Sequence, residues 1–227
     1  MLYTETSVRA NIRNREGKRV FYLAKGDTLT PGAQDYLRRE RIEILPAELA
    51  CPEEYRLLSG GVLQEKPEHM THLHGNVLVP KTHPRIQFRG AIDALEAELL
   101  LCQLNCPKWQ PQLQEILTLT RKLIPCDVLG ESAETEVLCG LTEHELRNRS
   151  HRPQEFYGQP HFMPEVSDGP VVLHLNRCRT AARSAELAAA RAFTDETGNC
   201  TRTDILRTLN RMSSMLYILM IREKSGR

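Results

Sequence analysis

Arg179, Arg183 and Glu186 fall at i, i+4 and i+7, so a helix through them carries two guanidinium groups and one carboxylate on a single face. A second set begins at Lys81 and continues through Arg85, Arg89, Asp93 and Glu96 at spacings of four, four and three. Two readings suit such sets. A loop lysine and helix-borne charges can converge on a phosphate-bearing ligand, or i,i+4 pairs such as Arg85 or Arg89 with Asp93 can simply lace a solvated surface.

Metal chemistry has weaker candidates. His69, His72 and His74 could gather imidazoles, but no cysteine or carboxylate stands at a ligand spacing from them, so a polar loop is the expectation. The seven cysteines, Cys51, Cys102, Cys106, Cys126, Cys139, Cys178 and Cys200, are odd in number and contain no CxxC pair. They read as small buried apolar residues in a reducing compartment rather than as a disulfide framework. Cys102 and Cys106, at i,i+4, have no matching pair nearby to complete a zinc site.

The elements that position these residues are mostly helical. Phe88, Ile92, Leu95, Leu99 and Cys102 repeat at four, three, four and three within Pro80 to Cys102, the apolar side of a helix about 30 Å long. A second helix carries Leu113, Ile116, Leu117 and Thr120 and is expected to end at Pro125. Short helical patterns follow around Glu134 to Leu138 and after Thr142, where Glu145 completes a capping box. His151 to Asp168 reads as a long loop with the exposed-looking aromatics Phe156, Tyr157 and Phe162. Gly169-Pro170 opens a helix to about Phe193, and Thr203-Asp204 opens the last, whose seam is Ile205, Leu209, Met212, Leu216 and Leu219. Asn210 lies off that seam, with Ser213, Ser214 and Tyr217 on an adjoining polar strip. The fold class is therefore mainly α, a bundle of four to five helices over residues 76–227. Ahead of it, residues 1–75 make a small strand-helix-strand unit, with strands at 19–24 and 42–45 around a helix opened by Thr30-Pro31, followed by a linker from about 46 to 75.

Thirty basic and twenty-nine acidic residues leave a formal charge of +1, so nucleic-acid binding as the main task is excluded. No apolar run reaches the ~18 residues of a membrane span, and the charged N-terminal segment lacks a secretory core. A cytoplasmic protein with no membrane partner is expected.

Three ordered motifs resemble one family, the ATP:corrinoid adenosyltransferases that make coenzyme B12. KTHPRIQFRGAIDALEA at Lys81 to Ala97 is similar to the KDDPRIEAYGTVDELNS segment that opens the bundle of the propanediol-type enzymes. R-x3-R-x2-E follows as Arg179, Arg183 and Glu186, and LNRLS as Leu209 to Ser213. LTPGAQDYLRRERIEI, DVLGE and MPE-x-S-x-G resemble the ethanolamine-utilisation branch, so the likeness covers nearly the whole chain.

The resemblance implies transfer of the 5′-deoxyadenosyl group of ATP to the cobalt of reduced cobalamin, with Mg2+ as companion ion. It implies that Lys81, Arg179 and Arg183 hold the phosphates, that Glu186 and Asn210 place the nucleotide and Mg2+, and that Arg85, Asp93 and Glu96 belong to the same wall. Phe162 is similar to the phenylalanine that packs on the corrin's lower face, where removal of the axial ligand gives four-coordinate cobalt(II), easier to reduce. It further implies a homo-oligomer with shared sites, a flavoprotein reductase and ethanolamine ammonia-lyase as partners, and a place within a bacterial microcompartment. Three departures stand out: no YTRTGDKG phosphate loop precedes Lys81, KDD has become Lys81-Thr82-His83, and the CC-x-x-C metal motif of some relatives is missing. A corrinoid-binding or delivery protein without ATP turnover is the alternative that the missing loop favours.

Overall fold

The computed structural model describes residues 1–15, 17–49 and 54–226; Cys51 lies outside them. The chain divides into two compact units, Met1–Val79 and Pro80–Arg227.

The first unit runs β1 (Leu2–Tyr3), α1 (Glu5–Ala10), β2 (Arg13–Arg15), β3 (Lys18–Leu23), β4 (Thr28–Leu29), α2 (Pro31–Arg39), β5 (Glu43–Pro46), β6 (Tyr55–Leu57), β7 (Val62–Leu63), β8 (Met70–His74) and β9 (Val77–Pro80). The expected strand-helix-strand is present: β3 and β5 pair in parallel, and α2 is capped where Thr30 Oγ1 accepts from the Ala33 N–H, with Pro31 in its first turn. Val8, Phe21, Ala33, Tyr36, Leu37 and Ile42 form its core. The stretch read as a linker is instead a four-stranded sheet in the order β7-β6-β9-β8. Its strands are two to five residues long, too short for periodicity to register, and Gly60, Gly61 and Gly75 serve as turns between them rather than as breaks in structure.

The second unit runs α3 (Pro84–Asn105), α4 (Gln110–Leu129), β10 (Val137–Leu138), β11 (Leu141–Thr142), α5 (Glu143–His151), α6 (Pro153–Tyr157), α7 (Gly169–Phe193) and α8 (Thr203–Lys224). Six α-helices occur in this unit among the described residues, where periodicity predicts four or five; α3, α4, α7 and α8 each have 20 residues or more. α3 packs against both α4 and α7, α7 also against α8, and α5 against α8. The repeating apolar positions all face inward: Phe88, Ile92, Leu95 and Leu99 of α3 and Leu209, Met212, Leu216 and Leu219 of α8 are fully buried. Side chains join α4 to α8, as Thr120 Oγ1 lies 3.7 Å from Met212 Sδ and Arg202 Nη1 donates to the Cys126 carbonyl. No helix among the described residues is long and apolar enough to cross a membrane.

Three local expectations fail here, the first being the long loop at His151 to Asp168, of which Pro153–Tyr157 is helical. Pro125 lies inside α4, which continues to Leu129 and stops at Gly130 with φ +72°. The proline ring forfeits only the bond to the Arg121 carbonyl, on a side of the helix open to water, whereas the left-handed turn needs glycine. The pattern at Glu134 to Leu138 is not helical; it leads into the β10–β11 hairpin. The capping box of Thr142 with Glu145 forms as expected.

Candidate active site

α7 and α8 lie side by side, and their shared polar face holds five of the residues singled out by sequence. Arg179 Nε and Nη2 donate to Asn176 Oδ1 at 3.1 and 2.9 Å, a neutral partner one turn earlier. Arg183, one turn further on, is exposed and makes no ion pair among the described residues. Burial and then the positive charge of Arg183 push the Arg179 guanidinium below its usual range. Two neighbouring cations without a carboxylate between them are a charge arrangement that an anion would relieve. Glu186 does not neutralise them: its Oε1 accepts from Asn210 Nδ2 of α8 at 2.9 Å. Arg211 donates to Asn210 Oδ1, so the amide of Asn210 is oriented from both sides.

Phe162 joins the same face from the loop between α6 and α7. Its ring is half-buried at the edge of the helical core, stacked 6.3 Å from the ring of Tyr217, with Lys224 Nζ 4.4 Å from its centroid. Lys224 is paired in turn with Asp168, at the start of α7. Arg179 lies 6.0 Å from the same Tyr217 ring, which places Phe162 and the arginine row about one tyrosine.

The α3 set is disposed differently. Arg85 Nε donates to Asp127 Oδ1 at 2.8 Å and Nη2 to the Asp127 carbonyl. Arg89 Nε donates to Asp127 Oδ2 at 2.7 Å. The Asp127 carboxylate, on α4, is fully buried and so bound by both arginines. Glu96 Oε1 accepts from Arg121 of α4 at 2.6 and 2.8 Å. Asp93 is exposed and forms no ion pair among the described residues, so the pairing of Arg85 or Arg89 with Asp93 is replaced by pairing with α4. The reason is geometric: Asp127 offers both oxygens in a dry site, and two guanidiniums binding it satisfy a buried charge. Lys81 is exposed in the turn before α3. His83 caps that helix, its Nδ1 accepting from the Arg85 N–H at 3.2 Å; burial, then Arg85 and Arg89, hold its pKa below the usual range, so the neutral acceptor form is favoured.

Hence one set of residues is brought together on α7–α8, and the Arg85, Arg89 and Glu96 side chains are turned to α4, on the other flank of α3. Asp127, Tyr217, His161, Asn176 and Arg211 were missed as site or supporting residues. Tyr217 was findable, since Asn210, Ser214 and Tyr217 stand at i, i+4 and i+7. Asp127 was not, because its partners are 38 and 42 residues away. A cavity of about 380 Å³ lies elsewhere, between the β10–β11 and α5 connector and α8, where Glu134, Glu136, Glu143 and Asp204 outnumber Arg207 and Arg211. Arg211 Nε and Nη1 are buried there without a partner among the described residues.

Among the described residues no cluster of three or more His, Cys, Asp or Glu side chains is arranged to hold a metal. His72 Nδ1 is 3.0 Å from the Gly75 carbonyl oxygen, on β8. The six described cysteines are free, four of them buried.

Taken together, four long packed helices and two adjacent arginines on one face of α7, with no carboxylate paired to either among the described residues, describe a helical protein with an uncompensated pair of cations. The chain belongs to the cobalamin adenosyltransferase family, whose model matches residues 62–223. It is 31% identical to the corrinoid adenosyltransferase EutT of Salmonella typhimurium (strain LT2), over 96% of this chain and 90% of that protein. The protein of the same name from Escherichia coli (strain K12) is 30% identical over the same shares. No solved structure gives a significant match.

Proposed function

We propose that this enzyme transfers the 5′-deoxyadenosyl group of ATP to the cobalt of cobalamin in an ethanolamine-utilisation setting, the product adenosylcobalamin going to ethanolamine ammonia-lyase. The observation that carries the reading is the Arg179–Arg183 pair, two adjacent cations left without a carboxylate inside a chain of this family. In the reaction the cobalt(I) electron pair attacks C5′, the C5′–O bond breaks, and its electrons leave with the tripolyphosphate. Charge grows on that leaving group, and preorganised guanidiniums beside it lower the barrier. Arg179 and Arg183 take this part, with Lys81 as a third cation. Phe162 covers the lower face of the corrin and excludes an axial ligand, which favours four-coordinate cobalt(II) and its reduction by a flavoprotein.

Glu186 and Asn210 place the nucleotide. Mg2+ suits this donor set: it is commonly held by one or two carboxylates plus substrate phosphates and waters, and Asn210 engages only one oxygen of Glu186. Glu186 would hold it, and the ion would neutralise phosphate charge. Arg85 is reassigned from ligand to scaffold, and Glu96 with it, because their partners on α4 are already in place.

The protein works as a homo-oligomer. Lys81 and Asp93 of the α3 side and the α7–α8 face meet across copies of the chain, head to tail; the exposed Leu100, Leu101 and Leu104 of α3 and Leu187 of α7 support such a contact. A cytoplasmic location, within a microcompartment, fits the ethanolamine setting. Anaerobic incubation with ATP, Mg2+ and cob(I)alamin tests the whole reading. The expected result is the absorbance change of a new cobalt–carbon bond; absence of product at any enzyme concentration overturns it.

A further inference from the structure

Residues 159–165 carry no helix or strand, so no backbone ladder holds Phe162 in place. Its ring meets Tyr217 and Lys224. The Tyr217 hydroxyl lies 2.9 Å from Nδ1 of His161, the residue before Phe162. The other ring nitrogen of His161, Nε2, is 3.1 Å from the His151 carbonyl oxygen. A carbonyl only accepts, which assigns the proton to Nε2; Nδ1 of the neutral ring is then the acceptor, and the tyrosine O–H donates to it. The one proton of the hydroxyl is thus spent on the loop residue that precedes Phe162.

The ring acts on both residues. It stacks on His161 at 5.8 Å and 9° and on Phe162 at 6.3 Å and 24°, while the Arg179 guanidinium carbon lies 6.0 Å from it. Burial raises the Tyr217 pKa, which keeps the hydroxyl protonated as this network needs. A phenolic ring with these contacts is a template: it lies near-parallel to Phe162 and within about 6 Å of an arginine of the proposed phosphate row.

We propose that Tyr217 is a positioning residue that sets where the Phe162 ring stands relative to Arg179, and so aligns the corrin face with the nucleotide. The proposal rests on the reading of Phe162 as the residue covering the corrin.

The test uses the full chain with cob(II)alamin and ATP, reading the four-coordinate cobalt(II) fraction by electron paramagnetic resonance together with kcat and KM. Tyr217→Phe keeps the stack and removes the hydroxyl; Tyr217→Leu removes both. Tyr217→Phe is expected to lower the four-coordinate fraction and kcat about fivefold, as loss of one modest hydrogen bond implies, with KM for ATP and the thermal midpoint unchanged. Tyr217→Leu is expected to abolish the signal. A wild-type fraction and kcat in Tyr217→Phe overturns the proposal, whether or not Tyr217→Leu folds, and so does a change confined to KM for ATP. Phe162→Ala separates the two ideas: if it keeps the four-coordinate signal, the reading of Phe162 fails; if it loses the signal while Tyr217→Phe does not, only the role of Tyr217 fails.

Discussion

The α3–α4 flank and the α7–α8 face use the same residue types to opposite ends. On the first, Arg85 and Arg89 close on a buried Asp127 and Glu96 closes on Arg121, so each of these charges meets its opposite within the chain. On the second, Arg179 is bonded to a neutral asparagine, Arg183 points to water, and one oxygen of Glu186 accepts from Asn210 rather than from either arginine. A charge satisfied internally serves the fold, and a charge left uncompensated beside its like is available to a ligand. Spacing alone does not separate the two cases, because both rows advance by three and four.

Breaking the internally satisfied row is expected to act on stability. Asp127→Ala strands two guanidiniums in a partly dry site and should cost about 3–5 kcal/mol, read as a lowered denaturant midpoint. A loss below 1 kcal/mol would mean that Arg85 and Arg89 reach water or ligand instead, and the contrast between the two faces would be lost. On the open row, Arg183→Ala should reduce kcat/KM by about 10²–10³-fold, near 3–4 kcal/mol of transition-state stabilisation, with an unchanged melting temperature. Equal effects on folding and turnover would erase the distinction.

A titration sharpens it further. The hydrogen bond from Arg202 holds the Asp204 carboxyl down at about 2, below its unfolded value of about 3.9. Its contribution, about 2 kcal/mol, is therefore complete above pH 4 and lost as the pH falls toward 2. Urea midpoints measured between pH 5 and 2 should fall less steeply for Asp204→Asn than for the parent. The smallest effect is assigned to Arg121, half-exposed in its pair with Glu96: Arg121→Ala should leave the melting temperature unchanged and kcat within about twofold, as is usual for a surface pair. A tenfold loss of kcat there would return Glu96 to the nucleotide site.

Much of the helical unit was legible because its helices are long. Phe88 to Cys102 and Ile205 to Leu219 repeat over four or more turns, and every position so marked is buried. The sheet at residues 55–80 was illegible, since strands of two to five residues carry at most two alternations and their turn glycines mimic those of a linker. Of the site, the α7 row and Asn210 could be read by spacing and by likeness. The role of Arg85 could not, because a salt bridge to a residue 42 positions away leaves no local mark.

The sequence by itself determined which residues are cationic, which faces of which helices they occupy, and the family to which the motifs point. Tertiary structure alone decided which of those cations keep their charge free. That choice depends on whether packing brings a carboxylate within about 3 Å, as it brings Asp127 to Arg85 and Arg89 and brings none to Arg179 and Arg183 among the described residues. It is a matter of three-dimensional proximity, because electrostatic attraction falls with distance in space and takes no account of distance along the chain.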